Sequence, residues 1–260
     1  MKDVQNFKDD RGIKISEVGI SDLKIPLFIK SGKVRQQVIA DVKMGVDLFA
    51  DIKGIHMSRF AEIAEKVKNS EISDRMIDKT LKEIKSRLKV NYSKIEISFI
   101  YFLTKKAPVS AKVCTTSYEC KITGELGGDN VKWNYFEIKV PVSMLCPCSK
   151  EISKYGAHNQ RADILLKIKT KHYFKINEII KKIENESSGE LFSVLKRVDE
   201  KHVTEKMYDN PKFVEDVVRG VASWVMKDKR ITDFIVTCRS YESIHNHNAY
   251  AVIIKEENKC

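Results

Sequence analysis

This 260-residue sequence predicts an α+β fold: two tandem strand-strand-helix-helix-strand-strand modules, with antiparallel sheets and the helices on one face. Three observations carry the prediction. Several segments alternate apolar and polar residues with a period of two, others repeat apolar residues at helical spacing, and the order of the two patterns returns once along the chain. Strands that follow one another as hairpins pair antiparallel, and helices with one apolar stripe pack that stripe on a sheet face.

Residues 1–12 are charged and aperiodic and are expected to form an arm. An irregular strand over 13–29 leads to Val38, Ala40, Val42, Met44, Val46 and Leu48, whose strict alternation marks a strand with one buried face. Two helical patterns follow: Phe60, Ile63, Ala64 and Val67, then Ile77, Leu81, Ile84 and Leu88 behind Ser73 as N-cap. Ile95, Ile97, Phe99, Tyr101 and Leu103 line one face of the next strand, and a weaker pattern over 111–122 gives its partner. The glycine-rich stretch 124–130 is the expected junction, so that a first module spans 13–126 and a second 127–260.

Beyond the junction Phe136, Ile138, Val140 and Val142 alternate, as do Ile164, Leu166 and Ile168. Helical spacing returns over 176–183, and again from Asn210-Pro211, an N-cap and N1 pair, through Val214, Val217, Val218, Val221 and Val225. Phe234, Val236 and Cys238, then Ala249, Ala251 and Ile253, supply the last two strands. The connection 186–206 reads as a long irregular loop, a type that in compact domains is often functional.

A composition 42% hydrophobic and 32% charged is that of a soluble globular protein. No apolar run approaches the roughly 20 residues that span a bilayer, and the N-terminus has no apolar leader core, so a cytoplasmic location is expected. There the six cysteines are expected to be thiols, core residues or metal ligands rather than disulfides, and none forms a zinc-finger pattern. The net charge of +11 suits nucleic acid, acidic lipid or a polyphosphate small molecule. Its scatter argues against the first two, since Lys167, Lys169 and Lys171 alternate as one solvated strand face would.

The segment Cys146-Pro147-Cys148-Ser149-Lys150-Glu151-Ile152-Ser153-Lys154-Tyr155-Gly156-Ala157-His158-Asn159-Gln160-Arg161 lies between two predicted strands and reads as an active-site loop. Cys146 and His158 offer a thiolate and an imidazole, a pairing suited to zinc or iron. Glu200, Glu215, Glu242 and His245 lie further on and could complete a site. A metal with an open position activates water near neutral pH. Each residue also has a plainer use: the cysteines as small buried side chains, His158 as a loop hydrogen-bonder, and Glu215 as the i, i+4 partner of Arg219. Asp199-Glu200-Lys201-His202 could be a solvated charge run, and Glu242-Ser243-Ile244-His245-Asn246-His247-Asn248 a polar turn or a proton shuttle. Lys53-Gly54-Ile55-His56-Met57-Ser58-Arg59 precedes the first helix, where backbone N–H groups and cations can hold a phosphate, or simply cap the helix.

At these residues the chain closely resembles the prokaryotic GTP cyclohydrolase IB family. The matching segments are Asp3-Val4-Gln5, Lys53 to Phe60, Leu145 to Ser153, Gly156 to Arg161, Asp199-Glu200-Lys201, Asn210-Pro211-Lys212-Phe213-Val214-Glu215-Asp216 and Glu242-Ser243-Ile244-His245. They run through nearly the whole chain in family order; Ile55 stands where the family often has threonine, a small departure. The resemblance implies the tunnelling fold, in two modules, and a homo-oligomer, a tetramer, with sites at interfaces. It implies conversion of GTP and water to 7,8-dihydroneopterin triphosphate and formate, the entry to folate synthesis, with metal-activated water attacking C8 of the guanine.

By the same resemblance Cys146, His158 and Glu200 are the metal ligands, and the ion is zinc, manganese or iron. Glu215 accepts the guanine N1–H and 2-amino group, Glu242 and His245 transfer protons beside Cys146, and Lys53, His56, Arg59 and Arg161 take the triphosphate. Cys148 is left a structural or supporting role. The competing readings are the archaeal relative that ends at a cyclic phosphate and the nitrile reductase of queuosine synthesis, where a cysteine attacks a nitrile and NADPH supplies hydride. From another class comes a basic nucleic-acid-binding module.

Overall fold

The computed structural model describes residues 5, 7–32, 34–127, 132–170 and 175–256, with 132 and 133 described through their backbone only. Asp3 and Val4 of the arm, 128–130 of the junction, Lys171 and Cys260 lie outside the described residues. The elements in order are β1 (Ile15–Ser31), β2 (Val34–Leu48), α1 (Met57–Val67), α2 (Asp74–Leu88), β3 (Ser93–Lys106), β4 (Val113–Leu126), β5 (Lys132–Leu145), α3 (Pro147–Ile152), β6 (Asn159–Thr170), α4 (Ile176–Asn185), β7 (Gly189–Glu190), α5 (Arg197–Asp209), α6 (Val214–Val225), β8 (Ile231–Ser240) and β9 (Ala249–Lys255). The strands are hydrogen-bonded in the order β1-β2-β3-β4-β5-β6-β8-β9, with β7 on β5, so the expected sheets are one nine-stranded sheet. No described helix is long and apolar enough to cross a membrane.

The chain forms two compact units, one of the residues up to Ile100 with Lys121–Phe136, the other of Tyr101–Cys120, Glu137–Thr170 and the chain beyond 174. In the first, the alternation of β2 buries Val38, Ala40, Val42, Met44, Val46 and Leu48 as expected. The β1–β2 register shifts between Ile20 and Leu23, where Asp22 takes a left-handed backbone, so the long hairpin bends at that irregularity. Ser73 caps α2 by accepting from the Met76 amide at 3.2 Å. Backbone bonds from Lys53 to Phe7 (3.0 Å) and from Gly54 to Gln5 (3.1 Å) dock the described part of the arm on the loop before α1. Gly124 lets α2 close on β4, because a Cβ there would stand 2.3 Å from Ile77 Cγ2 and 3.2 Å from Leu81 Cδ1. Gly124→Ala is therefore expected to destabilise by about 1–3 kcal/mol through overpacking, read as a lower urea midpoint at constant m.

In the second unit Ile138, Val140 and Val142 of β5, Ile164, Leu166 and Ile168 of β6, and Phe234, Val236 and Cys238 of β8 are buried. The predicted valine stripe of α6 is buried as well. Two expectations are corrected here. The connection expected to be an irregular loop over 186–206 contains β7 and most of α5. Asn210 does not open the following helix: its amide donates to the Lys206 carbonyl at 3.1 Å and so closes α5. Helix α6 begins at Val214, with Asp216 accepting from the Phe213 amide at 3.0 Å. Helix α5 escaped periodicity because only Asp199 and Met207 of its residues are buried, so it has no apolar stripe to read.

Candidate active site

The segment from Cys146 to Arg161 leaves β5, makes the short helix α3 and enters β6. Cys146 is the N-cap of α3, its Sγ accepting from the Ser149 amide at 3.4 Å. The loop closes on itself: the Cys146 amide donates to the His158 carbonyl at 3.2 Å, and the His158 amide donates to Ser149 Oγ at 3.2 Å. Cys146 and His158 are both half-buried, whereas Cys148 is exposed. Thus the two predicted donors of the motif sit in one hydrogen-bonded loop, and Cys148 stands apart from them in exposure.

Strands β6 and β8 pair antiparallel with Ala162 opposite Ser240 and Ile164 opposite Cys238. The core-facing rows of both strands end in polar residues: Gln160 continues Ala162 and Ile164, and Glu242 continues Cys238 and Ser240. Gln160 Nε2 reaches Ser240 Oγ at 3.1 Å and Glu242 Oε1 at 3.3 Å, while Gln160 Oε1 lies 2.9 Å from His158 Nδ1. The His245 ring stands edge-on to His158 with centroids 6.4 Å apart and stacks on His247 at 5.1 Å. Cys146, His158, Glu242 and His245 are therefore neighbours. Gln160 and Ser149, which join them, were not singled out in the sequence; the signal for Gln160 was a polar side chain in the apolar register of β6.

Glu200 is exposed on the first turn of α5, and the residue before it holds that turn in place. Asp199 is fully buried and accepts from the Val109 amide (2.9 Å), the Ser110 amide (2.8 Å), the Ser110 hydroxyl (2.6 Å) and the Lys196 amide (2.9 Å). Burial pushes the Asp199 carboxyl up, but the hydrogen bonds from Ser110, Lys196 and Val109 outweigh it and hold the group well below the usual carboxylate range. At the other end of α5, Lys150 of α3 donates to the Tyr208 carbonyl and lies over the Tyr208 ring at 4.3 Å.

Glu215 is exposed on the first turn of α6 and forms no ion pair with Arg219 among the described residues. The chain entering α6 is tied to the motif by the Lys212 amide, which donates to the Leu145 carbonyl at 3.2 Å. The Cys238 thiol beneath is pushed up to about 12, first by burial and then by the Asp163 and Glu215 carboxylates. Arg161 is exposed on β6. Lys53, His56 and Arg59 belong to the first unit, where Lys53 is exposed and Arg59 Nη1 donates to the Arg87 carbonyl at 2.8 Å near the end of α2. That bond uses one of five guanidinium N–H groups.

Among the described residues no three His, Cys, Asp or Glu side chains stand close enough together to hold a metal ion. The donor chemistry nonetheless fits a borderline divalent cation. A half-exposed thiol and an imidazole share one hydrogen-bonded loop, the imidazole has the oriented Nδ1 partner that ligating histidines use, and Glu200 offers an exposed carboxylate in the same unit.

The order of strands and helices about one sheet is that of the tunnelling fold. Uricase from Arthrobacter globiformis superposes with a TM-score of 0.51 over 94% of this chain and 95% of that one, at 8% identity, a likeness of fold alone. Residues 1–251 match the family model described as type I GTP cyclohydrolase folE2, and the chain belongs to that family. It is 45% identical to the GTP cyclohydrolase FolE2 of Fervidobacterium nodosum over 99% of this chain and 98% of that protein. It is 47% identical to that of Thermosipho melanesiensis over 97% of each, and 43% identical to that of Syntrophus aciditrophicus over 98% of this chain and all of its relative.

Proposed function

We propose that this protein is a type IB GTP cyclohydrolase, opening the imidazole ring of GTP by hydrolysis to give 7,8-dihydroneopterin triphosphate and formate at the entry to tetrahydrofolate synthesis. The observation that carries the reading is the family match across residues 1–251. Cys146, His158 and Glu200 would hold a divalent ion, zinc, manganese or iron, which when bound supplies Lewis-acid activation of water.

The protein's own groups account for the rest. The Glu215 carboxylate accepts the guanine N1–H and 2-amino group, two donors matched by two oxygens, and so selects guanine and holds its five-membered ring at the Cys146 loop. Glu242 and His245 carry protons to and from the ring nitrogens and the leaving formyl group as C8 is hydrated and expelled. Lys53, His56, Arg59 and Arg161 meet the triphosphate, an anion that the net charge of +11 favours. The protein acts in the cytoplasm as a homo-oligomer, a tetramer. It consists of an arm, 1–12, and two tandem modules, 13–126 and 127–260, the second bearing most of the catalytic groups.

Glu215→Ala is expected to weaken GTP binding about 10–100-fold, the worth of charge-assisted hydrogen bonds. Calorimetry with metal-free protein reads this directly, and unchanged affinity would remove Glu215 from the guanine. Product mass separates this reading from its nearest rival, since a cyclic phosphate product differs in mass from the linear triphosphate.

A further inference from the structure

We infer that Gln160 is a positioning residue of the reaction, its amide fixing the tautomer of His158 and tethering that ring to Glu242. The inference rests on the reading of His158 as a metal ligand and Glu242 as a proton carrier.

The orientation of the amide follows from its partners. The Gln160 NH2 group donates to Glu242 Oε1 at 3.3 Å and to Ser240 Oγ at 3.1 Å. Gln160 Oε1 then faces His158 Nδ1 at 2.9 Å. A carbonyl oxygen also only accepts, so Nδ1 must carry the proton of the neutral ring, and its lone pair is on Nε2. Ser243 Oγ, 3.5 Å from the same Nδ1, is a hydroxyl and can accept as well. The backbone supports this choice. The His158 amide and carbonyl are both held inside the Cys146 loop, and Gln160 and Ser240 lie on paired strands in the register that sets Ala162 opposite Ser240. One hydrogen-bonded run thus joins Cys146, Ser149, His158, Gln160 and Glu242, and Gln160 is its link between the metal-binding end and the proton-carrying end.

Two variants cut the link at different places. Gln160→Met keeps the length of the side chain and removes all three of its hydrogen bonds, to His158, Ser240 and Glu242. Gln160→Glu keeps an acceptor for His158 and replaces the NH2 group that faces Glu242 with a second acceptor. Cobalt(II) affinity of the chelated protein is measured by competition with a chromogenic chelator, and kcat and KM for GTP are measured at saturating metal. Gln160→Met is expected to weaken cobalt binding about 10–100-fold, the usual cost of losing a histidine's outer partner, and to lower kcat with KM nearly unchanged. Gln160→Glu is expected to bind cobalt within about threefold of wild type while kcat still falls at least about tenfold, because like charges then face each other at Glu242.

Wild-type cobalt affinity and kcat in Gln160→Met would overturn the proposal. If that variant fails to fold, Gln160→Glu decides alone: retained cobalt with lowered kcat supports the link, and any other pairing of results overturns it. Cys146→Ala and His158→Ala serve as controls. If these bind cobalt as wild type does, it is the metal-site reading that fails; if they lose cobalt while Gln160→Met keeps it, only the role of Gln160 fails.

Discussion

Cys146→Ala is expected to lower GTP turnover by at least about 10³-fold, equivalent to about 4 kcal/mol of lost transition-state stabilisation, while leaving the fold intact. The sulfur is half-buried and accepts one 3.4 Å bond from the Ser149 amide, so its removal costs little packing and at most a weak helix cap. Cys148→Ala is the matched control: its side chain is exposed, and activity within a few-fold of wild type is expected. Turnover is followed by pterin fluorescence after oxidation, and circular dichroism confirms the fold. Near-wild-type activity in Cys146→Ala would take the thiolate out of the chemistry.

The largest effect on stability is expected at Lys105. Its ammonium is nearly buried, within 2.9 Å of Glu184 Oε1 and 2.5 Å of Glu190 Oε2, with the Leu191 carbonyl at 3.2 Å and the Phe192 ring centroid at 4.5 Å. Tyr118 donates to the same Glu184 oxygen at 2.8 Å. Burial is the largest influence on Glu184 and raises its carboxyl, with the Lys105 charge opposing. Lys105→Met therefore leaves a buried carboxylate without its cation, at a cost of about 3–5 kcal/mol. Lys105→Met combined with Glu184→Leu is expected to recover more than half of that loss, because the buried Glu184 charge is gone and Glu190 is partly exposed to water. Chemical unfolding at one fixed protein concentration measures both variants, and a double variant no more stable than Lys105→Met would contradict the account. The cluster also bears on the site: Glu190 lies on β7, which pairs with Val142 and Ser143 of β5, and Ser188 Oγ accepts from the Leu145 amide next to Cys146.

The strands and helices with a clear period were legible in the sequence because burial on one face leaves a mark. The alternating rows of β2 and β6 and the valine stripe of α6 are examples. Helix α5 was not legible, since hydrogen bonds to a single buried carboxylate, Asp199, fix its start where an apolar stripe would otherwise do so. Asn210-Pro211 looked like a helix start because the same residue types that cap an N-terminus also end the helix before it. The Cys146 loop was visible as a concentration of reactive side chains, and the nearness of Glu242 and His245 to His158 was not. That nearness depends on the β6–β8 pairing, which joins residues about eighty positions apart in the chain.

The central claim, metal-dependent hydrolytic opening of GTP at the Cys146 loop, is tested most directly by one assay. The purified protein is stripped with a chelator, reloaded with zinc, manganese or iron(II) in turn, and given GTP, with formate release and a fluorescent pterin triphosphate as paired readouts. The account predicts no turnover in the stripped protein and equimolar formate and pterin with at least one of the metals. Absence of both products with every metal, or equal turnover in the stripped protein, would contradict it.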